Sequence, residues 1–201
     1  MNVIWTRTVR SNKVAHSLIC GMTESGKSTL AKRMCSEFRK QGIGVLVYAP
    51  IDKRGWDCDF LTDDLNHFKA VVLASRKCMV FIDEADTVCS RSQPENNWLA
   101  VRSRHRQHSV FFITQRPQMI NTTVRGQCKN LFLFSIALDD AKDLARQWNC
   151  NPLKSVANFQ TGEYIFAPKM GKASKSSLFT WYHWGYSFFH FHRITHTVGR
   201  G

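Results

Sequence analysis

Residues 14–42 decide the fold and read VAHSLIC-GMTESGKS-TLAKRMCSEFRKQG. The first seven are a short, mostly apolar run, which predicts a buried strand. Leu30, Met34 and Phe38 then recur at the spacing of one helical face, and Gly42 predicts where that helix ends. A strand, a glycine-bounded loop and a helix therefore follow one another here.

The loop between this strand and helix matches the pattern G-x-x-x-x-G-K-[ST]. Glycines let the backbone curl so that N–H groups point at a phosphate, and the helix start adds its positive dipole end. We expect Lys27 to reach the β- and γ-phosphates and Ser28 to ligate Mg²⁺. Glu24 is assigned no catalytic role. The predicted ATP-binding residues are Gly21, Met22, Thr23, Glu24, Ser25, Gly26, Lys27, Ser28 and Thr29.

A second motif, CMVFIDEAD at 78–86, is an apolar run that ends in two acids. A buried strand would carry both carboxylates to the sheet edge that holds the phosphate loop. Asp83 is then expected to hold Mg²⁺, and Glu84 to polarise the attacking water as general base. A solvated strand end or a helix cap is the alternative. Together with the phosphate loop, the pair indicates nucleotide hydrolysis.

The rest of the chain alternates between apolar runs and helical patterns. This alternation predicts an α/β fold with a mostly parallel sheet sandwiched between helices, and ligands at the carboxyl ends of its strands. Further strands are predicted at 44–50, 109–115, 130–138 and 163–168, with a short one possible at 70–74. Helices are predicted at 61–69, 95–106 and 139–149, and a short helix or a turn at 152–162. The chain divides into a lead-in at 1–13, a domain at 14–168 and a basic, aromatic tail at 169–201.

Composition restricts the class of protein. The 201 residues suffice for one ordinary domain, and the net charge of +13 favours a polyanionic partner. No acid occurs between Glu95 and Asp139, a stretch that holds six Lys and Arg residues. A merely solvated basic face is the alternative. The seven cysteines contain no C-x-x-C pair, which indicates a reducing compartment and no zinc site. We see neither a signal peptide nor a clear transmembrane helix.

The order of these motifs resembles one family. RHRQHSVFFITQRP at 104–117, after the phosphate loop and VFIDEAD, is similar to the stretch in FtsK/HerA DNA-pumping ATPases where an arginine precedes a strand ending in Thr-Gln-Arg-Pro. The resemblance covers roughly residues 14–168 and implies a RecA-like P-loop NTPase. Within the family, the small single-domain members that this chain resembles are the genome-packaging ATPases of membrane-containing icosahedral (double-jelly-roll) phages.

The resemblance also implies roles for two residues. Gln115 would be the sensor that contacts the γ-phosphate or the lytic water, although a strand-end Gln can also satisfy backbone groups. Arg104 stands where the family places the arginine finger that acts on the neighbouring subunit's nucleotide. Arg102 and Arg106 are rivals, and the RHRQHS segment lacks the glycine that many members have there.

The implied partners are double-stranded DNA, other copies in a ring-shaped homo-oligomer (a hexamer is expected), and capsid-vertex or inner-membrane proteins of the virion. Three cations in the loop after the sensor strand, Arg116, Arg125 and Lys129, are candidates for lining a pore and contacting the DNA backbone. Lining the subunit interface is the alternative.

The tail carries eight aromatic residues between 176 and 192 and no charge there. Its composition does not suit a bilayer core. We expect either an extra strand or hairpin on the sheet, or a docking segment for a membrane interface or a capsid-vertex protein.

The motifs predict an ATPase dependent on ATP and Mg²⁺, and the resemblance implies that it packages double-stranded viral DNA into a preformed capsid, in the host cytoplasm and at the packaging vertex of the virion. One alternative is a DNA-export motor of filamentous-phage or conjugation type. The other is a nucleotide kinase or a switch that does not translocate, although no N-K-x-D motif is present.

Overall fold

The computed structural model describes residues 14–179, which form an eight-stranded sheet with helices on both faces. The strands are β1 His16–Cys20, β2 Val45–Tyr48, β3 Phe60–Thr62, β4 Met79–Ile82, β5 Ser109–Thr114, β6 Cys128–Phe134, β7 Glu163–Pro168 and β8 Ser174–Ser177. The helices are α1 Lys27–Lys40, α2 Leu65–Ala74, α3 Ala85–Val88, α4 Trp98–Val101, α5 Thr122–Gln127 and α6 Leu138–Trp148. Short 3₁₀ helices occupy Pro94–Asn97, Ser103–Arg106 and Asn151–Asn158.

The strand order is β3-β2-β4-β5-β1-β6-β7-β8. All pairs from β3 to β6 are parallel, and β7 and β8 add an antiparallel edge. The predicted α/β fold with a mostly parallel sheet is therefore confirmed. The predicted strands at 14–20, 44–50 and 109–115 are confirmed to within two residues at their ends, the strand at 163–168 is confirmed in full, and the apolar run of the second motif forms β4.

The central strands are buried on both faces, so successive side chains enter different cores. In β1, Leu18 packs in one cluster and Ile19 in the other. On the Ile19 side α1 covers the sheet, and its Phe38 ring lies 6.3 Å from Phe81 and 5.8 Å from Phe111. This two-sided burial explains why the strands read as continuous apolar runs.

Three local predictions were wrong. Residues 70–74 are helical, because Asp64 caps α2 by accepting from two backbone amides and the helix then buries Phe68 and Val72. The helix expected at 95–106 is instead 3₁₀, α and 3₁₀ in turn. The strand expected at 130–138 is β6, which ends at Phe134, and Leu138 already begins α6.

Strand β8 lies within the predicted tail and extends the sheet beyond residue 168. Most of the aromatic segment, from residue 180 onward, lies outside the described residues, as does the lead-in at 1–13.

Candidate nucleotide site

A pocket opens at the carboxyl ends of β1, β4 and β5, where parallel sheets usually bind ligands. Both sequence motifs and the proposed sensor meet there. The lining residues are Thr23, Glu24, Lys27, Ser28, Asp83, Glu84, Ile113, Thr114 and Gln115.

Two glycines fix the shape of the loop. Gly21 has no room for a side chain, since an added Cβ would lie 2.6 Å from both Phe134 Cβ and Ser25 Oγ. Gly26 has φ +110°, and its Cβ would lie 2.7 Å from Leu178 Cδ1. The curled backbone of the phosphate-binding motif therefore depends on glycine at both ends.

Lys27 is the first residue of α1 and is 7% exposed. Its Nζ donates to the carbonyl of Met22 across 2.6 Å, which folds the side chain back over the loop. Burial lowers the Lys27 pKa, and the nearby charge of Glu84 partly opposes this effect. A buried ammonium in a curled loop is suited to neutralising a phosphate.

The two acids follow β4 directly and both line the pocket. Burial, followed by the charge of Glu84, raises the pKa of Asp83 to about 6. Glu84 has left-handed backbone angles (φ 50°, ψ 47°), and its N–H donates to Asp83 Oδ1 at 3.1 Å. The turn thus places two carboxylates side by side, one of them poorly solvated and in need of a positive partner.

Ser28 and Asp83 supply a hydroxyl and a carboxylate oxygen to the same pocket. Mg²⁺ prefers oxygen ligands, takes few of them from protein and completes its shell with phosphate and water. The residues present therefore fit Mg²⁺, and a cation beside Asp83 would offset the cost of burying its carboxylate. Within residues 14–179, no group of three or more His, Cys, Asp or Glu side chains is arranged to hold a metal ion.

Gln115 connects the loop to the acids. Its Oε1 accepts from Thr23 Oγ1 at 2.7 Å, and its Nε2 donates to Glu84 Oε1 at 3.3 Å. Thr114, one residue earlier, donates to Asp86 at 2.7 Å and so joins β5 to α3. Sequence reasoning expected Gln115 in the pocket but missed Thr23 as its partner, because only the tertiary fold brings the two together.

Arg104 lies at the opposite ends of the strands, before β5 begins, in a groove that it shares with Val14, Val101, His105 and Lys129. Its guanidinium donates to Gln127 Oε1 at 3.0 Å. Strand β5 runs from the Arg104 groove to the pocket, and its six residues span about 17 Å. Arg102 and Arg106 line a different groove, with Val72, Leu73 and Trp98.

The three cations proposed for a DNA loop do not share one surface. Arg116 is exposed and follows Gln115 at the pocket edge of the sheet. Arg125 is 5% exposed, and its guanidinium donates to Gln118 and Gln147. Lys129 is exposed near the start of β6, at the edge that holds Arg104.

The sequence matches the profile of one protein family, and the fold matches several solved structures. The profile of the ATPase family associated with various cellular activities (AAA) matches residues 17–136. None of the curated proteins matches this sequence.

Three solved structures illustrate the shared fold. The genome packaging NTPase B204 from Sulfolobus turreted icosahedral virus 2, in complex with ATP-gammaS, superposes with a TM-score of 0.70 at 15% identity over 81% of this chain and 97% of that one. VirB4 of Thermoanaerobacter pseudethanolicus gives 0.64 at 10% identity over 84% and 91%. The pCW3 conjugation coupling protein TcpA gives 0.62 at 16% identity over 82% and 60%.

None of the helices between residues 14 and 179 is both long enough and apolar enough to cross a membrane.

Proposed function

Because the chain belongs to the ATPase family associated with various cellular activities, we propose that its ATPase activity resides in the pocket at β1, β4 and β5 and drives double-stranded DNA into a preformed viral capsid. The observation that carries the catalytic half is the convergence of Lys27, Asp83, Glu84 and Gln115 on one pocket. The DNA half is supported by the charge of +13 and by the fold shared with a genome packaging NTPase.

The residues of the pocket divide the work of hydrolysis. Lys27 neutralises the β- and γ-phosphates, and Ser28 with Asp83 would hold Mg²⁺. Bound Mg²⁺ would offset the charge that develops on the phosphates. Glu84 accepts a proton from the attacking water, which Gln115 orients. The contact between Gln115 and Glu84 keeps the proposed sensor beside the proposed base.

Arg104 acts in trans in this proposal. The length of β5, about 17 Å, separates it from its own pocket, which is too far for a side chain to reach the γ-phosphate there. The pocket edge and the Arg104 edge would meet when copies pack head to tail, and that type of contact closes into a ring when the rotation allows. Arg102 and Arg106 lie in the other groove and are the alternatives for the same role.

Lys129 extends the positive charge of the Arg104 groove, and Arg116 adds charge beside the pocket. Exposed cations that lack nearby acids in sequence can track a phosphate backbone without reading bases. Arg125 is buried among glutamines, so we assign it a supporting role in the proposed DNA interface rather than a direct contact.

The experiment is the ATPase rate with and without long duplex DNA at several salt concentrations. A motor should be stimulated by duplex DNA, and its DNA binding should weaken steeply with salt. Lys129→Ala should reduce the salt dependence, whereas Lys154→Ala, an exposed lysine in the 3₁₀ helix Asn151–Asn158, is the control. Stimulation by single-stranded DNA alone would favour export, and no response to DNA would refute translocation.

We further propose that the assembled ring works in the host cytoplasm and at the packaging vertex, with capsid-vertex or inner-membrane proteins as its docking partners. The aromatic segment beyond residue 179 is the candidate docking element. Recovery of the chain with purified empty capsids, and loss of that recovery when residues 181–201 are deleted, would support this assignment.

A further inference from the structure

The segment that follows β8 is fastened to the phosphate loop. Leu178 is 6% exposed and lies over Gly26, where it leaves no space for a Cβ. Its N–H donates to the carbonyl of Gly162 at 2.8 Å, and Arg33 of α1 donates to its carbonyl at 2.6 Å. The N–H of Gly162 in turn donates to the carbonyl of Ser25 at 2.9 Å, so the turn before β7 is bound to the same loop.

Phe179 comes next and is 80% exposed, although its position is fixed by these contacts. Its ring edge rests on Gly162, where a Cβ would lie 3.1 Å from Cε2. The Phe179 N–H donates to Ser177 Oγ at 3.2 Å, which adds a further tie to β8. A large aromatic face is thus presented to solvent beside the phosphate loop, and no packing contact within residues 14–179 explains this exposed apolar area.

The sheet order indicates which part of a nucleotide lies near this ring. Glu84 and Gln115 belong to the ends of β4 and β5, on one side of β1. Hydrolysis requires the γ-phosphate on that side. The triphosphate crosses the loop after β1, so the nucleoside extends toward the other side, over β6, β7 and β8. Phe179 lies on that side, since its ring contacts Gly162 in the turn before β7.

We propose that Phe179 is a stacking platform for the base of the bound nucleotide. The face of Phe179 can pair with any base, since every base presents a π-face. The ring therefore contributes affinity for nucleosides without selecting adenine over guanine. This assignment rests on the proposed placement of the phosphates at Lys27, and it is independent of DNA translocation.

The test distinguishes binding of the nucleobase from binding of the phosphates. Wild type and Phe179→Ala are titrated by calorimetry with ATP, with GTP and with inorganic tripolyphosphate, all with Mg²⁺. We expect Phe179→Ala to weaken ATP and GTP by about tenfold each and to leave tripolyphosphate unchanged. Phe179→Trp should restore nucleotide affinity, and ATP but not tripolyphosphate should change its fluorescence.

Two further variants make each outcome decisive. Met170→Ala removes a 97% exposed apolar side chain from the turn between β7 and β8 and should bind all three ligands as wild type does. Lys27→Ala should lose all three ligands; if it does not, the placement of the phosphates is wrong. Unchanged ATP affinity in a folded Phe179→Ala, or an equal loss of tripolyphosphate, would overturn the stacking role.

Discussion

Gln115 donates from Nε2 to Glu84 Oε1 across 3.3 Å, so the proposed general base is held by a side chain from the neighbouring strand. The other end of the same amide accepts from Thr23 in the phosphate loop. When nucleotide displaces the phosphate loop, Gln115 can therefore transmit that movement to Glu84. The amide has one donor group for the carboxylate and one acceptor for the hydroxyl, which a carboxylate or an aliphatic side chain cannot supply together.

Removing this amide should impair chemistry more than binding. We expect Gln115→Ala to lower kcat by about 100-fold, the usual cost of losing one polar group that acts on the transition state, with a small change in KM. Gln41→Ala, at the exposed end of α1, is the matched control. Steady-state kinetics measure both constants, and a rise in KM with unchanged kcat would show that Gln115 only binds substrate.

Glu84→Gln keeps the size of the side chain and removes the proton acceptor. We expect ATP binding to persist and turnover to fall below detection, since the amide of Gln cannot take up the proton of the attacking water. Asp139→Asn, whose side chain is 94% exposed on α6, is the control acid. Nucleotide binding and phosphate release should be measured on one preparation. Sustained phosphate release by Glu84→Gln would refute the assignment.

Mixed assemblies test the trans arginine. Arg104→Ala subunits retain Glu84, and Glu84→Gln subunits retain Arg104, so each variant alone should be inactive. In an equal mixture, about one quarter of head-to-tail interfaces combine an intact pocket with an intact finger, and activity should return to about that fraction. Arg102→Ala and Arg106→Ala, mixed in the same way, compare the rival positions. A mixture as inactive as its components would exclude Arg104.

Glycine substitutions should have opposite effects at two positions. Gly26→Ala forces a left-handed residue against Leu178 and should abolish ATP binding and destabilise the fold by at least about 1 kcal/mol. Gly126 is inside α5 with nothing within 4 Å of an added Cβ. There Ala should raise the free energy of unfolding by about 0.5–1 kcal/mol through helix propensity. Urea unfolding measures both, and stabilisation by Gly26→Ala would contradict the described loop.

Stability should depend on pH through His16. The residue is 1% exposed, its Nδ1 accepts from the Val110 N–H at 3.1 Å, and burial lowers its pKa from 6.5 to about 4. In the unfolded chain His16 therefore binds a proton below pH 6.5, whereas in the folded chain it does so only below about pH 4. The neutral group stabilises the fold above pH 6.5, and this contribution of about 3 kcal/mol is lost progressively down to pH 4.

His16→Asn keeps an acceptor for Val110 and removes the titration. The free energy of unfolding should then fall less steeply between pH 6.5 and 4 than in wild type. His67→Asn, an exposed histidine of α2, should leave the slope unchanged. Equal slopes for His16→Asn and wild type would show that the buried imidazole is not the source.

The sequence was most informative where local signals and tertiary burial agree. In residues 14–42 the apolar run, the glycines and the helical spacing all depend on neighbours in the chain, and β1, the loop and α1 follow as predicted. The run 78–82 was readable for the same reason, since a strand buried on both faces must be continuously apolar.

The sequence did not predict features that depend on contacts between residues far apart in the chain, or on backbone hydrogen bonds. Strand β8 reads Ser-Lys-Ser-Ser and joins the sheet by pairing with β7, so it has no apolar signature. Arg125 looked like a loop cation, but Gln118 and Gln147 enclose it through the fold. The polar contact between Thr23 and Gln115 joins residues 92 positions apart, which no local pattern encodes.

The pocket and Arg104 lie at opposite ends of the parallel strands, so each subunit has two different faces that can meet a neighbour. If Arg104 completes the neighbour's site as proposed, a linear chain of copies always has one fewer complete site than it has members. Closure of the ring supplies the missing site. Specific activity measured against protein concentration would then report assembly itself, rising as partial chains close and reaching its limit when every subunit has a neighbour on both sides.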